Sequence, residues 1–297
     1  MKAIPPVGTK LDMAIRSAID NKTKPPGSLG DIEDLAFQIA RVQSTLVPAM
    51  DRCHLYIFAG DHGIVDEGVS AYPQAVTAQM VSNFLAGGAA ANVFARANQV
   101  TLDVVDAGIG QKPVGEARLL SRRIGARTRN FRREAAMTSH EVDRALEAGF
   151  ELGAQALGQA LALGEMGIGN TTSAAAIALA ICGGVGSDWV GRGTGVDEQG
   201  LRRKSKVIEQ GLLANPSAKN GGLEALRCLG GREVAAIVGA IARARILSIP
   251  VILDGFICCA AAACLHKVSK FSLDHTIAGH LSTEKAHGKL LENINKK

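Results

Sequence analysis

Leu55-Tyr56-Ile57-Phe58-Ala59-Gly60-Asp61 is a short apolar run that stops at a glycine and an acid. The same pattern returns at Val100 to Asp106, at Leu161-Ala162-Leu163-Gly164-Glu165 and at Pro250-Val251-Ile252-Leu253-Asp254-Gly255. Helical stretches fill the intervals: Gln79 to Ala97 with the small patch Gly87-Gly88-Ala89-Ala90, His140 to Leu157, Thr172 to Ile181, and Glu233 to Leu247. In the last of these, Val234, Ile237, Val238, Ile241 and Ile246 follow a helical rather than a strand period. Short apolar runs alternating with helices predict an α/β fold, a mainly parallel sheet with helices on its faces. The carboxyl ends of the strands in such a sheet form the ligand crevice, so Asp61, Asp106, Glu165 and Asp254 are expected to line one site. Any one of them alone could be a helix cap or a turn residue.

Composition agrees. At 297 residues with 47% hydrophobic content, the chain can bury one large domain, or one large and one small. Aromatic residues make up only 4% while glycine and alanine abound, which favours close helix–sheet packing over an aromatic-rich β-sandwich. No basic segment precedes an apolar stretch at the start, and the longest apolar run, Val251 to Leu265, contains Asp254 and is too short to span a bilayer. A cytoplasmic protein with no membrane partner is expected. Cys53, Cys182, Cys228, Cys258, Cys259 and Cys264 form no CxxC pair and show no zinc spacing, so they are read as reduced, buried, small apolar side chains. The net charge of +5 is concentrated in part in Arg122, Arg123, Arg127, Arg129, Arg132 and Arg133. With only Phe131 interleaved, this stretch reads as a solvated loop or strand edge, and no nucleic-acid partner is expected. There is no internal repeat, heptad run or low-complexity linker, so any domain boundary is soft.

The segment Gly164-Glu165-Met166-Gly167-Ile168-Gly169-Asn170-Thr171-Thr172 reads as a strand end, a glycine-rich turn and a helix start. Free backbone N–H groups and hydroxyls would there point to one spot, an anion cradle. It is not a Walker loop, because Gly-Lys-Ser/Thr is missing, and the third glycine of a dinucleotide fingerprint is not at the right spacing. Further on, Gly191-Arg192-Gly193-Thr194-Gly195-Val196-Asp197 precedes a basic helix holding Arg202, Arg203, Lys204 and Lys206. One lysine near the cradle would give a point charge for a phosphate monoester, and the other cations fit a solvated face.

Asp61-His62-Gly63 invites a metal reading, since both side chains can coordinate. Neighbours in sequence point different ways, and no second His/Asp pair at ligand spacing follows, so no metal is assigned. Asp61 and His62 are read as a polar turn shaping a base pocket, with Tyr72 and Met80 as its flat and soft apolar walls.

Near the N-terminus, Lys24-Pro25-Pro26-Gly27-Ser28-Leu29-Gly30 is a rigid turn, and Ser28 is placed to cap a helix with apolar face Ile32, Leu35, Ala36, Ile39 and Val42. This segment, Asp61-His62-Gly63, the Glu165 to Thr172 loop, Lys204 and Asp254-Gly255-Phe256, in this order and spacing, resemble the nicotinate-nucleotide–dimethylbenzimidazole phosphoribosyltransferase family. The similarity runs from about residue 20 to residue 290. The resemblance implies a Rossmann-like, mainly parallel sheet with helices on both faces and a small helical domain from the terminal segments, without metal or cofactor. Residues 1–50 would open the small domain, 51–265 form the large one, and 266–297 return to the small one. Homodimers are usual in the family, and pairing with a paralogue is the alternative.

The resemblance further implies that nicotinate mononucleotide gives its phosphoribosyl group to a benzimidazole-type base, forming an α-riboside phosphate and nicotinate. On that footing Gly167, Gly169, Asn170, Thr171, Thr172 and Lys204 hold phosphate or ribose, Glu165 and Asp254 are the catalytic carboxylates, and Tyr72, Met80 and Met166 line the base pocket. Beyond the segment matched by Ser282-Thr283-Glu284 the family carries a Gly-Glu-Gly loop whose glutamate is regarded as the general base. No Gly-Glu-Gly occurs after residue 255 here. A truncated form, a subunit completed by a partner and an enzyme using another carboxylate such as Glu165 are three explanations. A paralogue that binds nicotinate mononucleotide or α-ribazole phosphate without turnover, and a metal-dependent hydrolase centred on Asp61 and His62, are the competing functions.

Overall fold

The four apolar runs all fold as strands: β1 (Cys53–Gly60), β2 (Thr101–Gly108), then, after a two-residue β3 (Leu120–Ser121), β4 (Ala160–Met166) and β5 (Val251–Leu253). A short β6 (Thr276–Ala278) completes one sheet of order β3-β2-β1-β4-β5-β6 in which every neighbouring pair is parallel. The computed structural model describes residues 4–155, 159–193 and 195–296. From β1 the chain steps outward to β2 and β3, then returns to β4 on the other side of β1 and steps outward again. The crevice of such a sheet opens where the order reverses, beyond the carboxyl ends of β1 and β4.

Side chains alternate across β1, so each face of the sheet has its own core. On one face, Ala59 and Val104 pack under Ala78, Val81 and Leu85 of α3 (Val76–Ala86), with α4 (Ala90–Ala97) beside it over β2. On the other, Tyr56, Phe58, Leu161 and Leu163 join the larger core built by α5 (Ser139–Gln155), α6 (Asn170–Cys182), α8 (Gly222–Leu229), α9 (Arg232–Ile246) and α10 (Phe256–Val268). The α/β fold with helices on both faces is therefore as expected. Glycine at the α5–α9 crossing explains how close two helices can come: a Cβ on Gly149 would lie 1.7 Å from the Ala236 carbonyl oxygen.

The N-terminal helices α1 (Asp12–Asp20) and α2 (Asp31–Gln43) pack on each other beside β6, where Gln38 Nε2 donates to the Thr276 carbonyl at 2.9 Å. The Val7 N–H donates to Asp274 at 2.9 Å, so the two terminal segments meet. The basic helix is α7 (Glu198–Ala214), capped by Asp197, whose carboxylate accepts from the Gly200 N–H at 2.8 Å. The last helix, α11 (Lys285–Asn293), packs on α10 and α6.

Several local expectations are corrected. The stretch Gln79 to Ala97 is two helices, because Gly87 takes a left-handed φ of 82° and ends α3. Ser28 caps nothing: Gly30 is the N-cap of α2, and Glu33 reaches back to accept from the Leu29 N–H at 3.1 Å and to pair with Lys24 at 2.8 Å. On α2, Val42 is buried as expected and Ala40 with it, but Ile32 and Leu35 lie on the solvent side. Ile246 is likewise exposed at the end of α9, whereas Val234, Ile237, Val238 and Ile241 are buried. Ala156 and Leu157, at the end of the stretch read as His140 to Leu157, lie outside the described residues, as does Thr194. The six cysteines are free, four buried, with Cys53 and Cys182 half-buried. The arginine run is an ion-paired loop: Arg123 meets Asp106, Arg127 Asp66, Arg129 Glu141 and Arg132 Glu67. None of the described helices is long and apolar enough to cross a membrane.

Candidate active site

The chain leaves β4 at Met166 and enters α6 at Asn170 through a turn that only glycine permits. A Cβ on Gly167 would sit 2.1 Å from the Gly60 carbonyl oxygen, and Gly169 has φ 94°. The carbonyls of Gly167 and Gly169 take the N–H groups of Asn170 and Thr172. Among the described residues the Gly169 and Thr171 N–H groups have no acceptor, and both residues line a cleft at the positive end of α6. Lys204, on the first turns of α7, is buried yet brings Nζ to 3.3 Å from Thr171 Oγ1 and 3.1 Å from the Gly191 carbonyl. Burial lowers its pKa, and the Glu284 carboxylate opposes that fall. The resulting cleft, about 240 Å³, is lined by the turn, Lys204, Arg192 and Gly193. Buried ammonium and free amides facing one small space suit an anion.

Glu165 is the wall between this cleft and a second one. On its far side a groove of about 430 Å³ runs along the sheet, floored by Leu55, Ile57, Ala162 and Ile252, edged by Phe84, and closed by Asp254 and His280. Burial, and then the nearby Asp254 and Glu233 carboxylates, push the Glu165 carboxyl up to about 8, against a hydrogen bond donated by Asn170 Nδ2 that favours ionisation. An acid of that strength is poised to exchange a proton near neutral pH.

A sequence profile of the phosphoribosyltransferase family matches residues 4–297. The chain belongs to the phosphoribosyltransferase family. It is 48% identical over 274 residues to the nicotinate-nucleotide–dimethylbenzimidazole phosphoribosyltransferase of Roseobacter denitrificans, covering 92% of this chain and 76% of that one. The enzyme of the same name from Ruegeria pomeroyi is 48% identical over 289 residues, or 96% of this chain and 81% of the relative. Among solved structures, CobT from Thermus thermophilus superposes with a TM-score of 0.91 at 41% identity, over 97% of this chain and 87% of that one. Membership makes this chain a transferase that moves a phosphoribosyl group.

Of the residues singled out in the transferase's sequence, Glu165, Met166, Gly167, Gly169, Asn170, Thr171 and Lys204 line one cleft. Thr172, one residue on, is fully buried beneath it, its hydroxyl without a partner among the described residues. Asp254 meets Glu165 across the groove. The other two strand-end acids do not join them: Asp106 accepts from the Ile109 N–H at 2.8 Å, and Asp61 from the Gly110 N–H at 2.6 Å. Tyr72 is 47% exposed and Met80 half-buried, and neither borders the two clefts, although Met80 lies one helical turn before Phe84 on α3. Asp61 and His62 are buried behind the cradle and do not converge on a common point; His62 is a buried tie, with Ser173 and Glu233 on its two nitrogens. No group of three or more metal-ligating side chains gathers among the described residues. Sequence reasoning missed Phe84, Ser173, Glu233 and His280, and it missed that Glu284 accepts from the Gly193 N–H at 2.7 Å.

Proposed function

We propose that this transferase moves the phosphoribosyl group of nicotinate mononucleotide to a ring nitrogen of dimethylbenzimidazole or a related base. Glu165, standing between an anion cradle and an apolar groove, is the observation that carries this reading. The names of the two bacterial relatives and the shared fold support it. The donor phosphate would rest on the Gly169 and Thr171 N–H groups and Lys204, with Gly167, Asn170 and Thr172 shaping the turn. The flat acceptor would lie in the apolar groove against Ile57, Ile252 and Phe84, with Met166 toward the cradle, and not against Tyr72 or Met80.

In the reaction the bond from ribose C1′ to the pyridinium nitrogen breaks, and nicotinate leaves with the electron pair. A new bond forms from C1′ to the acceptor nitrogen, and the acceptor N–H proton passes to a carboxylate. Positive charge grows on the ribose as the old bond lengthens, so Glu165 and Asp254 stabilise the transition state when ionised. Ionised Glu165 then takes the proton.

The proposal extends to organisation. Residues 1–50 and 266–297 would share a small domain, supported by the Val7–Asp274 and Gln38–Thr276 contacts. The resemblance supports a cytoplasmic dimer, of this chain with itself or with a paralogue.

Incubating the pure chain with nicotinate mononucleotide and dimethylbenzimidazole, with and without chelator, tests the reaction. Release of nicotinate together with α-riboside phosphate, unaffected by chelator, is expected. Tight binding of both substrates without release would instead make this a binding protein, and loss of turnover with chelator would overturn the metal-free account.

A further inference from the structure

Behind the cradle lies a hydrogen-bonded line of three side chains that touches no cleft. His62 follows β1, Ser173 is in the first turns of α6, and Glu233 is in the first turn of α9, and all three are fully buried. His62 Nδ1 lies 2.9 Å from Ser173 Oγ, and His62 Nε2 lies 2.6 Å from Glu233 Oε1. Contacts at both ring nitrogens fix the imidazole in rotation. With the ring so fixed, Nδ1 can only address Ser173. The space is cut to this group: a Cβ on Gly231 would come within 2.4 Å of both His62 Cε1 and Glu233 Oε2, and the Gly169 site is 3.3 Å from His62 Cβ.

A second contact holds the other end of the same turn. Thr77 Oγ1, on α3, accepts from the Ile168 N–H at 3.1 Å. The Gln74 side chain donates to the His62 carbonyl at 3.3 Å. Thus the turn from Ile168 to Ser173, which carries the free amides, is tied at one end to Thr77 of α3 and at the other to His62.

We propose that His62 is a positioning residue for the anion cradle, acting through Ser173 to hold the first turn of α6 where its amides meet the donor phosphate. The inference rests on the proposed function only in taking that phosphate as the cradle's ligand. It assigns His62 a task other than metal binding or base recognition.

Removing the imidazole outright would leave Glu233 buried without its partner, so His62→Ala is a poor test. Ser173→Ala cuts the tie without stranding a charge, and His62→Gln keeps a donor for Glu233 while losing Ser173. Binding of nicotinate mononucleotide and, separately, inorganic phosphate would be measured by calorimetry, alongside thermal melts. Each variant is expected to weaken binding about tenfold, the scale of one hydrogen bond, with a melting temperature within about 3 °C of wild type. The double variant should lose no more than either single one, because both cut the same tie.

Wild-type affinity in Ser173→Ala, or additive losses in the double variant, would overturn the inference. A wild-type chain that binds phosphate but not nicotinate mononucleotide would overturn the proposed substrate and leave the phosphate comparison to decide the role of His62. If it binds neither, the cradle and the positioning role fall together.

Discussion

Replacing Glu165 by glutamine is expected to make this protein slower and, above neutral pH, more stable. In the folded chain burial holds the carboxyl at about 8, against 4.5 for a solvated glutamate. Between those values the folded protein keeps a proton that the unfolded chain gives up, so stability falls as pH rises through the window. At ~1.4 kcal/mol for each pH unit from 4.5 to about 8, the full penalty approaches about 5 kcal/mol. Water in the two clefts that Glu165 borders screens part of this, and about 2 kcal/mol at pH 8 is the expected size. Glutamine is nearly isosteric, keeps an oxygen for Asn170 Nδ2 and has no proton to lose. Urea titrations of both proteins at pH 5, 6.5 and 8 should therefore show a stability gain near zero at the lowest pH and growing toward the highest. Nicotinate release by the variant should fall by about two to four orders of magnitude, the usual cost of a lost general base. A gain that is the same at pH 5 and pH 8, or a variant less stable at pH 8, would refute the claim that Glu165 is a desolvated acid.

Three further outcomes follow from the same geometry. Lys204→Ala should raise the KM for nicotinate mononucleotide by about 10- to 100-fold, the worth of one charged hydrogen bond, while the affinity for the uncharged base stays unchanged in a binding titration. Gly167→Ala places a Cβ 2.1 Å from the Gly60 carbonyl oxygen, and should cost about 2 kcal/mol or more in denaturant titrations while abolishing phosphate binding. Burial alone would raise the Glu141 carboxyl, but the Thr138 N–H and the Arg232 and Arg129 guanidiniums hold it at about 2. Its stabilisation is present above pH 4.5 and lost as pH falls toward about 2, so Glu141→Gln should flatten the acid limb of the stability curve by about 2 kcal/mol.

The four inner strands of the sheet were legible because each is an apolar run ended by a glycine and an acid, a pattern set by local chemistry. β3 and β6, two and three residues long, carry no such signal; they exist because a neighbouring strand offers them an edge. The break at Gly87 and the failure of Ser28 to cap α2 depend on a single φ and on the reach of Glu33, neither of which spacing determines. The cradle could be read because its turn is contiguous in sequence. Its supports could not, since Ser173 lies 111 positions and Glu233 171 positions from His62. Glycine at 60, 167 and 231 was the available hint, as each leaves room for a neighbour that only the folded chain reveals.

The shared wall has a thermodynamic consequence. With its pKa pushed up to about 8, Glu165 is largely protonated at pH 7, and the positive ring nitrogen of a bound donor favours the carboxylate, so loading of the donor is expected to discharge that proton to solvent. Donor affinity should then climb by up to about tenfold per pH unit below about 8, and the heat of association should vary with the ionisation enthalpy of the buffer. Departure of neutral-ring nicotinate reverses the preference, so the same oxygen atoms that released a proton on loading are ready to accept one from the incoming base.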